Sequence, residues 1–442
     1  MAITGGAVTG QLLANFLTKF GGYFDALPEI NTIADLLPFE QKAKLGAKYE
    51  VSFLVGMEHG HTASRQGGLY TLNPAVGAEL QKAELDGSTI TMRAQYAWDD
   101  VYASLNGADA SYNDIMSLKM KALGKGASLY RDIALAYGPG AGAVLGANIG
   151  VVSTNAAAAL NNDLTNGVTI RLTRPSYIRG LWPSMRNAYV DIYQNDGQTL
   201  RSSNVRVIGV PNQRKTGVTF VSSSATGYVS SAPTAVVQAG DIIVPVGWKG
   251  QSCIGLETIM RTQTGTLFTV DMAQITPFRT PLFTASNGPL TLQLIREWAA
   301  LIADNGSKQG GQLMCSGSAF AALANEYSGK NRDTSQGGVK KQGESKLIFE
   351  TPAGDIDVTV WDCAKQGSAM YIANTARAYR VGTTDNTMRP IKGLNEGFLT
   401  PLIDQPGLQS SIYSNQAPFC ENGWHNFYVE DIVSPGDSLD AA

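Results

Sequence analysis

The stretch from Asp109 to Tyr137 constrains the fold more than any other part of this chain. Tyr112, Ile115, Met116, Leu123, Ala127, Tyr130, Ile133 and Tyr137 recur at helical spacing, which gathers them on one buried face. At a rise of 1.5 Å per residue, a helix over this stretch is about 43 Å long. "SYND" at 111–114 matches the capping-box pattern. Gly138-Pro139-Gly140 is a strong terminator. Gly124 and Gly126 weaken the middle and are the candidate bend.

Two β-rich runs precede the helix, "KYEVSFLVG" (48–56) and "STITMRAQYAW" (88–98). They are expected to form a long two-stranded excursion, with a short helix in "PAVGAELQKAEL" between them. A two-stranded arm without its own core is marginal in water and has to pack on a neighbour. Ahead of it, Pro28 and Pro38 interrupt any long helix. Residues to about 45 therefore read as an extended arm with one or two helical turns.

Behind the helix, from about Val168 to Val270, short strands are expected at "VTIRLT", "NAYVDIY", "VRVIGV", "DIIVPV" and "TLFTV". Past Pro281 the pattern alternates. "LTLQLIREWAALIAD" reads as a helix with Leu294, Trp298, Leu301 and Ile302 on one face, closed by Asn305-Gly306. "GQLMCS" is a strand and "SAFAALANEY" a second helix; "SKLIFE", "DIDVTVW", "SAMYIA" and "RAYRV" follow as strands. The last sixty residues are mixed and end in a polar tail, and no repeat of fixed period occurs.

A chain of 442 residues has room for two or three domains. Charged residues make up 16%, below the usual quarter, while 43% hydrophobic residues are ample for a core. That balance suits a protein that hides much of its surface in an assembly. A net charge of −3 gives no basic excess of the kind that marks nucleic-acid binders. Cys253, Cys315, Cys363 and Cys420 are widely spaced, form no CxxC pair and read as buried thiols in a reducing cytosol. No signal peptide and no membrane-spanning run is apparent.

Each candidate for chemistry meets a simpler reading. In "GMEHGHT" (56–62), His59 and His61 are two apart and share a face on an extended strand beside Glu58. Several metallo-hydrolases seat a metal on such a His-x-His pair. Only His425 remains elsewhere, and no HExxH or HxxEH pattern occurs, so the pair is short of ligands. The alternative is polar residues at a strand end. "YGPGAGAVLGANIG" (137–150) looks like a phosphate loop, but it follows a long helix instead of a strand. It ends a helix and lets the chain pass close to a neighbour. Ser316 and Ser318 do not fit GxSxG and read as caps of the helix behind them. "RLTRPSYIRGLWPSMR" (171–186) carries Arg171, Arg174, Arg179 and Arg186 among aromatics. These arginines could grip phosphate, but the acidic balance favours pairing with carboxylates across a subunit contact. "GGVKKQGESK" (337–346) reads as a loop tip.

The order of parts is arm, excursion, long helix closing in "RDIALAYGPGAGAVLG", β-rich block, then a helix–strand–helix–strand unit. This order resembles the major capsid proteins of tailed bacteriophages, with the Hong Kong 97-type fold. The wording is similar too. "AYGPGAGAVLGA" looks like the glycine-rich exit of that family's spine helix, and "GLETIMRTQTGTLFTVDMAQITPFRTP" (255–281) like the stretch before its axial domain. "LTLQLIREWAALIADNGSKQGGQLMCSGSAFAALANEY" and "DIDVTVWDCAKQGSAMYIANTARAYRV" resemble the core of that domain. The resemblance runs from about residue 45 to 400.

It implies an α+β fold divided into an N-terminal arm (1–45), an extended loop (46–105), a spine helix and peripheral domain (106–167), β-rich peripheral strands or an insertion (168–281), an axial domain (282–380), and a C-terminal return segment and tail (381–442). It also implies a structural, non-enzymatic subunit that self-assembles into pentamers and hexamers of an icosahedral head around double-stranded DNA. Catalytic, metal and cofactor sites are then absent. Implied partners are other copies of the chain, a separate scaffolding protein, a portal, decoration proteins, and packaged DNA held non-specifically on the inner face, with no membrane. The place is the virion, assembled in the host bacterial cytoplasm. Glu58, His59, His61, Arg65, Trp98, Arg171 and Arg174 become candidate inter-subunit contacts. The alternatives are an encapsulin-like compartment shell, whose chains are shorter and lack a large β insertion, and the metallo-hydrolase using His59 and His61.

Overall fold

A computed structural model of the chain describes residues 33–42, 48–63, 66, 71–97, 110–140, 148–153, 158–160, 167–211, 216–221, 236–330, 346–387, 400–401 and 407–433. Its longest helix, α1 (Ala110–Tyr137), runs uninterrupted across Gly124 and Gly126. Ser111 lies inside the helix and so is not the cap that "SYND" suggested. Ala110 is a strong helix former, and the helix extends through it. The periodic face is present where Leu123 and Ala127, with Met120, pack on Met92, Ala94 and Ile412. From Arg131 to Gly140 every residue is buried, so the C-terminal turns are enclosed on all sides. Helix α2 (Leu256–Arg261) lies against them.

Gly138 ends α1 where the backbone of another segment touches it. A Cβ there would sit 2.1 Å from the Cys253 carbonyl oxygen, and one on Gly255 would sit 2.5 Å from that of Ala136. The Gly255 amide donates to the Gly138 carbonyl at 3.0 Å. Gly138 and Gly140 thus let two segments of the chain pass in contact.

The described strands form three larger sheets, the first of which packs on this helix. In the first, Phe39–Gln41, Ala378–Thr387, Gly407–Cys420 and Thr400–Pro401 lie in that order, and Ser88–Ala97 pairs with Gly407–Cys420. The second is antiparallel with six strands: Gly150–Val151, Ile242–Pro245, Tyr189–Tyr193, Leu200–Gly209, Gly217–Val221 and Val168–Arg171. Its core face carries Val190, Ile192, Val205, Val207, Val218 and Phe220. The third is mixed, in the order Leu282–Thr284, Phe427–Glu430, Ala369–Ala373, Gly311–Cys315, Gly354–Val360 and Lys346–Thr351. Helices α3 (Leu292–Asp304) and α4 (Gly317–Lys330) accompany it.

There are two main cores. One joins Ile33 and Leu37, the C-terminal half of α1, α2 and the second sheet; the other fills the third sheet and its helices. The C-terminal strand Phe427–Glu430 is inserted between Leu282–Thr284 and Ala369–Ala373. Residues after 380 therefore complete the sheet begun at 282. Among the described residues no helix is long and apolar enough to cross a membrane.

Four expectations are corrected. "ELQKAEL" is a strand, Glu79–Leu85, despite its helix-forming composition. The alternate residues Ala83 and Leu85 are buried, and pairing with Tyr49–Gly56 overrides local propensity. The runs at 48–56 and 88–98 accordingly do not pair with each other; Ser88–Ala97 pairs with Gly407–Cys420, from Gly407↔Ala97 to Gln416↔Ser88. "TLFTV" is a hairpin, with Phe268 (φ 53°) and Thr269 (φ 67°) both left-handed in a two-residue turn. On α3 the buried side chains are Leu292, Ile295, Trp298, Ala299 and Ile302, while Leu301 is 54% exposed. Of the expected face, Trp298 and Ile302 are buried, with Trp298 stacked on Phe283 at 5.2 Å, and Leu294 packs against the same core, so Leu301 alone is misplaced.

Candidate assembly surfaces

The hairpin of Tyr49–Gly56 and Glu79–Leu85 divides into an anchored base and an uncovered outer part. At the base, Tyr49, Val51, Ala83 and Leu85 are buried. The Tyr49 hydroxyl donates to Asn415 Oδ1 at 2.6 Å and accepts from the Thr383 amide at 3.0 Å. Phe53 stacks on Phe278 with centroids 5.3 Å apart. The Glu84 amide donates to the Phe268 carbonyl at 3.0 Å, which ties the hairpin to the left-handed turn. Two cross-strand ion pairs, Lys82–Glu50 at 2.5 Å and Lys48–Glu84 at 3.0 Å, fix the register on the solvent face.

Outward, the side chains that alternation turns away from the core are apolar. Leu54 and its cross-strand partner Leu80 are 61% and 70% exposed. Met57, Leu72 and Val76 follow at 76%, 74% and 58%. Burying one such side chain is worth roughly 1.5–3 kcal/mol. Large apolar side chains left this exposed are concentrated on this one excursion.

"GMEHGHT" lies in this outer part. His59 forms a two-way backbone bridge with Val76, and Asn73 Nδ2 donates to the His61 carbonyl at 3.0 Å. Glu58, His59 and His61 are exposed. His425 is elsewhere, with its ring nitrogens on the carbonyls of Thr375 and Asn305 at 3.4 and 3.1 Å. Among the described residues no three His, Cys, Asp or Glu side chains are grouped so as to hold a metal ion. Arg171 is an exposed strand residue paired with Gly217, and Arg174 opens a 3-10 turn in the same β-rich unit. The structure thus places the candidate contacts on two separate surfaces. Arg65, Trp98 and most of "GGVKKQGESK" lie outside the described residues.

One polar centre was missed in the sequence. Lys365, 4% exposed, donates to Glu257 Oε2 at 2.5 Å, and the Tyr428 hydroxyl donates to Glu257 Oε1 at 3.0 Å. Arg261 reaches Glu257 at 3.4 Å and Glu430 at 2.7 Å. The Lys365 ammonium also lies 4.6 Å from the Tyr137 ring centroid. Burial pulls the Lys365 ammonium below its ordinary value and pushes the Tyr137 and Tyr428 phenols well up. Glu257, Arg261, Lys365, Tyr428 and Glu430 border a cavity of about 310 Å³ shared with Asn148, Ser176 and Ser368. Glu257 sits in the apolar run "LETIM" and Lys365 in "CAKQG", so the only signal was a charge among apolar neighbours. Lys365 and Arg261 both pair with Glu257 at the junction of α1, α2 and the third sheet, which makes the cluster a clamp. Ser316 Oγ accepts from the Ala319 amide at 3.4 Å, as a cap for α4, and bonds Ser318 Oγ at 3.1 Å.

No family model and no curated protein sequence matches the chain. Solved structures do match its fold. The capsid asymmetric unit of Cyanophage A-1(L) has 9% sequence identity and a TM-score of 0.50, covering 94% of this chain and 97% of that one. The capsid structure of Cyanophage P-SCSP1u has 10% identity and a TM-score of 0.46, covering 94% and 93%. The SrpI encapsulin complex of Synechococcus elongatus has 8% identity and a TM-score of 0.37, covering 96% and 95%. The chain is a mixed helix–strand protein that shares, over nearly its whole length, the fold of a phage capsid subunit.

Proposed function

We propose that this chain is the major capsid protein of a tailed phage, a structural subunit that assembles with its own copies into an icosahedral head around double-stranded DNA. The observation that carries the reading is the end-to-end likeness to the A-1(L) capsid subunit, joined to a hairpin whose outer face is apolar and uncovered. In this reading residues 1–45 are the arm, 46–105 the extended loop, 106–167 the spine helix and peripheral domain, 168–281 peripheral strands with an insertion, 282–380 the axial domain and 381–442 the return segment and tail.

The hairpin then lies across an adjacent subunit, with Leu54, Met57, Leu72, Val76 and Leu80 buried by the neighbour and Glu58, His59, His61 and Arg65 as polar contacts at its margin. Trp98, Arg171 and Arg174 supply further contacts. Gly124 and Gly126 let α1 bend when the shell expands. A separate scaffolding protein, a portal and decoration proteins act on the shell in the host cytoplasm, and the finished particle is the virion head. Sedimentation velocity tests the reading: the purified chain, co-expressed with the scaffolding protein of its phage, is expected as closed particles. A monomer under those conditions would overturn it.

A further inference from the structure

One of the polar contacts that hold the segment Ile33–Gln41 on the body uses a buried carboxylate. The Ile33 amide donates to Asp132 Oδ2 at 3.0 Å, across the C-terminal half of α1. Asp132 is fully buried, and its Oδ1 has no hydrogen-bond partner among the described residues. Ile33, Ala34 and Leu37 are buried over it. Further ties come from the strand Ala378–Thr387: Arg380 Nε donates to the Leu37 carbonyl and the Arg380 amide to that of Pro38, both at 2.8 Å, and Phe39–Gln41 adds as a parallel edge.

We propose that Asp132 is a proton-operated latch on this arm segment, which holds the segment closed when its carboxyl is protonated and loosens it when ionised. A dry carboxylate with one orphaned oxygen costs far more than the neutral acid at the same place. The groups facing it do not cancel that cost. Arg131, next to it on α1, is drawn away to Asp385 at 3.4 Å; the arm contributes Asp35, and the loop after Trp361 contributes the Cys363 thiol. Burial pushes the Asp132 carboxyl up to about 7, against the hydrogen bonds from the arm amides.

The sign follows from linkage. Closing the arm raises this carboxyl from its ordinary value, so its contribution to the closed state is complete below that value. It is lost as pH rises towards about 7 and is level above. Lifting the segment hydrates Asp132 and releases a proton.

Hydrogen–deuterium exchange of the 33–41 backbone in the full chain tests this, with rates divided by the intrinsic exchange at each pH. Between about pH 5 and about pH 8 the opening constant in wild type should rise by up to roughly a hundredfold. Asp132→Asn, which mimics the neutral acid, should stay protected and independent of pH. A flat wild-type profile, or an Asp132→Asn profile that tracks wild type, would overturn the latch. If the variant does not fold, a carbon-13 titration of the Asp132 carboxyl in wild type decides. A midpoint near the raised value supports the latch, and one near an ordinary carboxyl overturns it.

Discussion

Lys365 Nζ stands 2.5 Å from Glu257 Oε2 at a junction where both side chains are buried. Breaking a buried pair by removing one partner strands the other charge, at a cost of about 3–5 kcal/mol. Glu257→Leu and Lys365→Met alone should each lower stability by that order. The double variant should recover most of the loss, and a denaturant-unfolding double-mutant cycle measures the coupling. Additive single effects would mean that the pair does not join α2 to the third sheet.

The outer hairpin should separate folding from assembly. Leu54→Lys and Leu80→Glu change exposed side chains, so subunit stability should shift by no more than about 0.5 kcal/mol. Particle yield in sedimentation should nevertheless collapse. Normal yield with both substitutions would remove this face from the proposed contact.

Two glycines of one helix region should respond in opposite directions. Gly138→Ala drives a Cβ into the Cys253 carbonyl, which has no flexible end to move, and should cost about 1–3 kcal/mol or more. Gly124→Ala meets nothing within 4 Å and should stabilise the subunit by about 0.5–1 kcal/mol. If α1 bends at that point during expansion, the same variant should slow expansion, as read by small-angle scattering.

The four cysteines are buried and free. Burial pushes the thiols of Cys253, Cys315 and Cys420 up to about 12. A disulfide reagent at about pH 8 should therefore label none of these three in the native chain and all of them in denaturant, since only thiolates attack. Fast native labelling of any one would contradict the packing described.

The parts of the fold that were legible share a feature: their pattern is local. Tyr137 ends a periodic helix and Gly138 stops it, and both signals lie within a few residues. The composition of the hairpin partner Glu79–Leu85 favours a helix, and the pairing with Tyr49–Gly56, distant in sequence, makes it a strand. The long strand Gly407–Cys420 escaped notice because it is rich in Ser, Asn and Gln and carries Pro418, yet it is flanked on both sides by other strands. Glu257 and Lys365 are 108 residues apart, so their pairing has no local trace. Histidine counting did dispose of a metal at His59 and His61 on the terms of the sequence, and the structure places His425 on the Asn305 and Thr375 carbonyls instead.

Electron cryomicroscopy of the chain purified with its scaffolding protein tests the central claim most directly. The account predicts closed icosahedral shells in which the Tyr49–Gly56 and Glu79–Leu85 hairpin lies on a neighbouring subunit, with Leu54 and Leu80 covered. Discrete monomers or small open oligomers, with that hairpin face still in solvent, would contradict it.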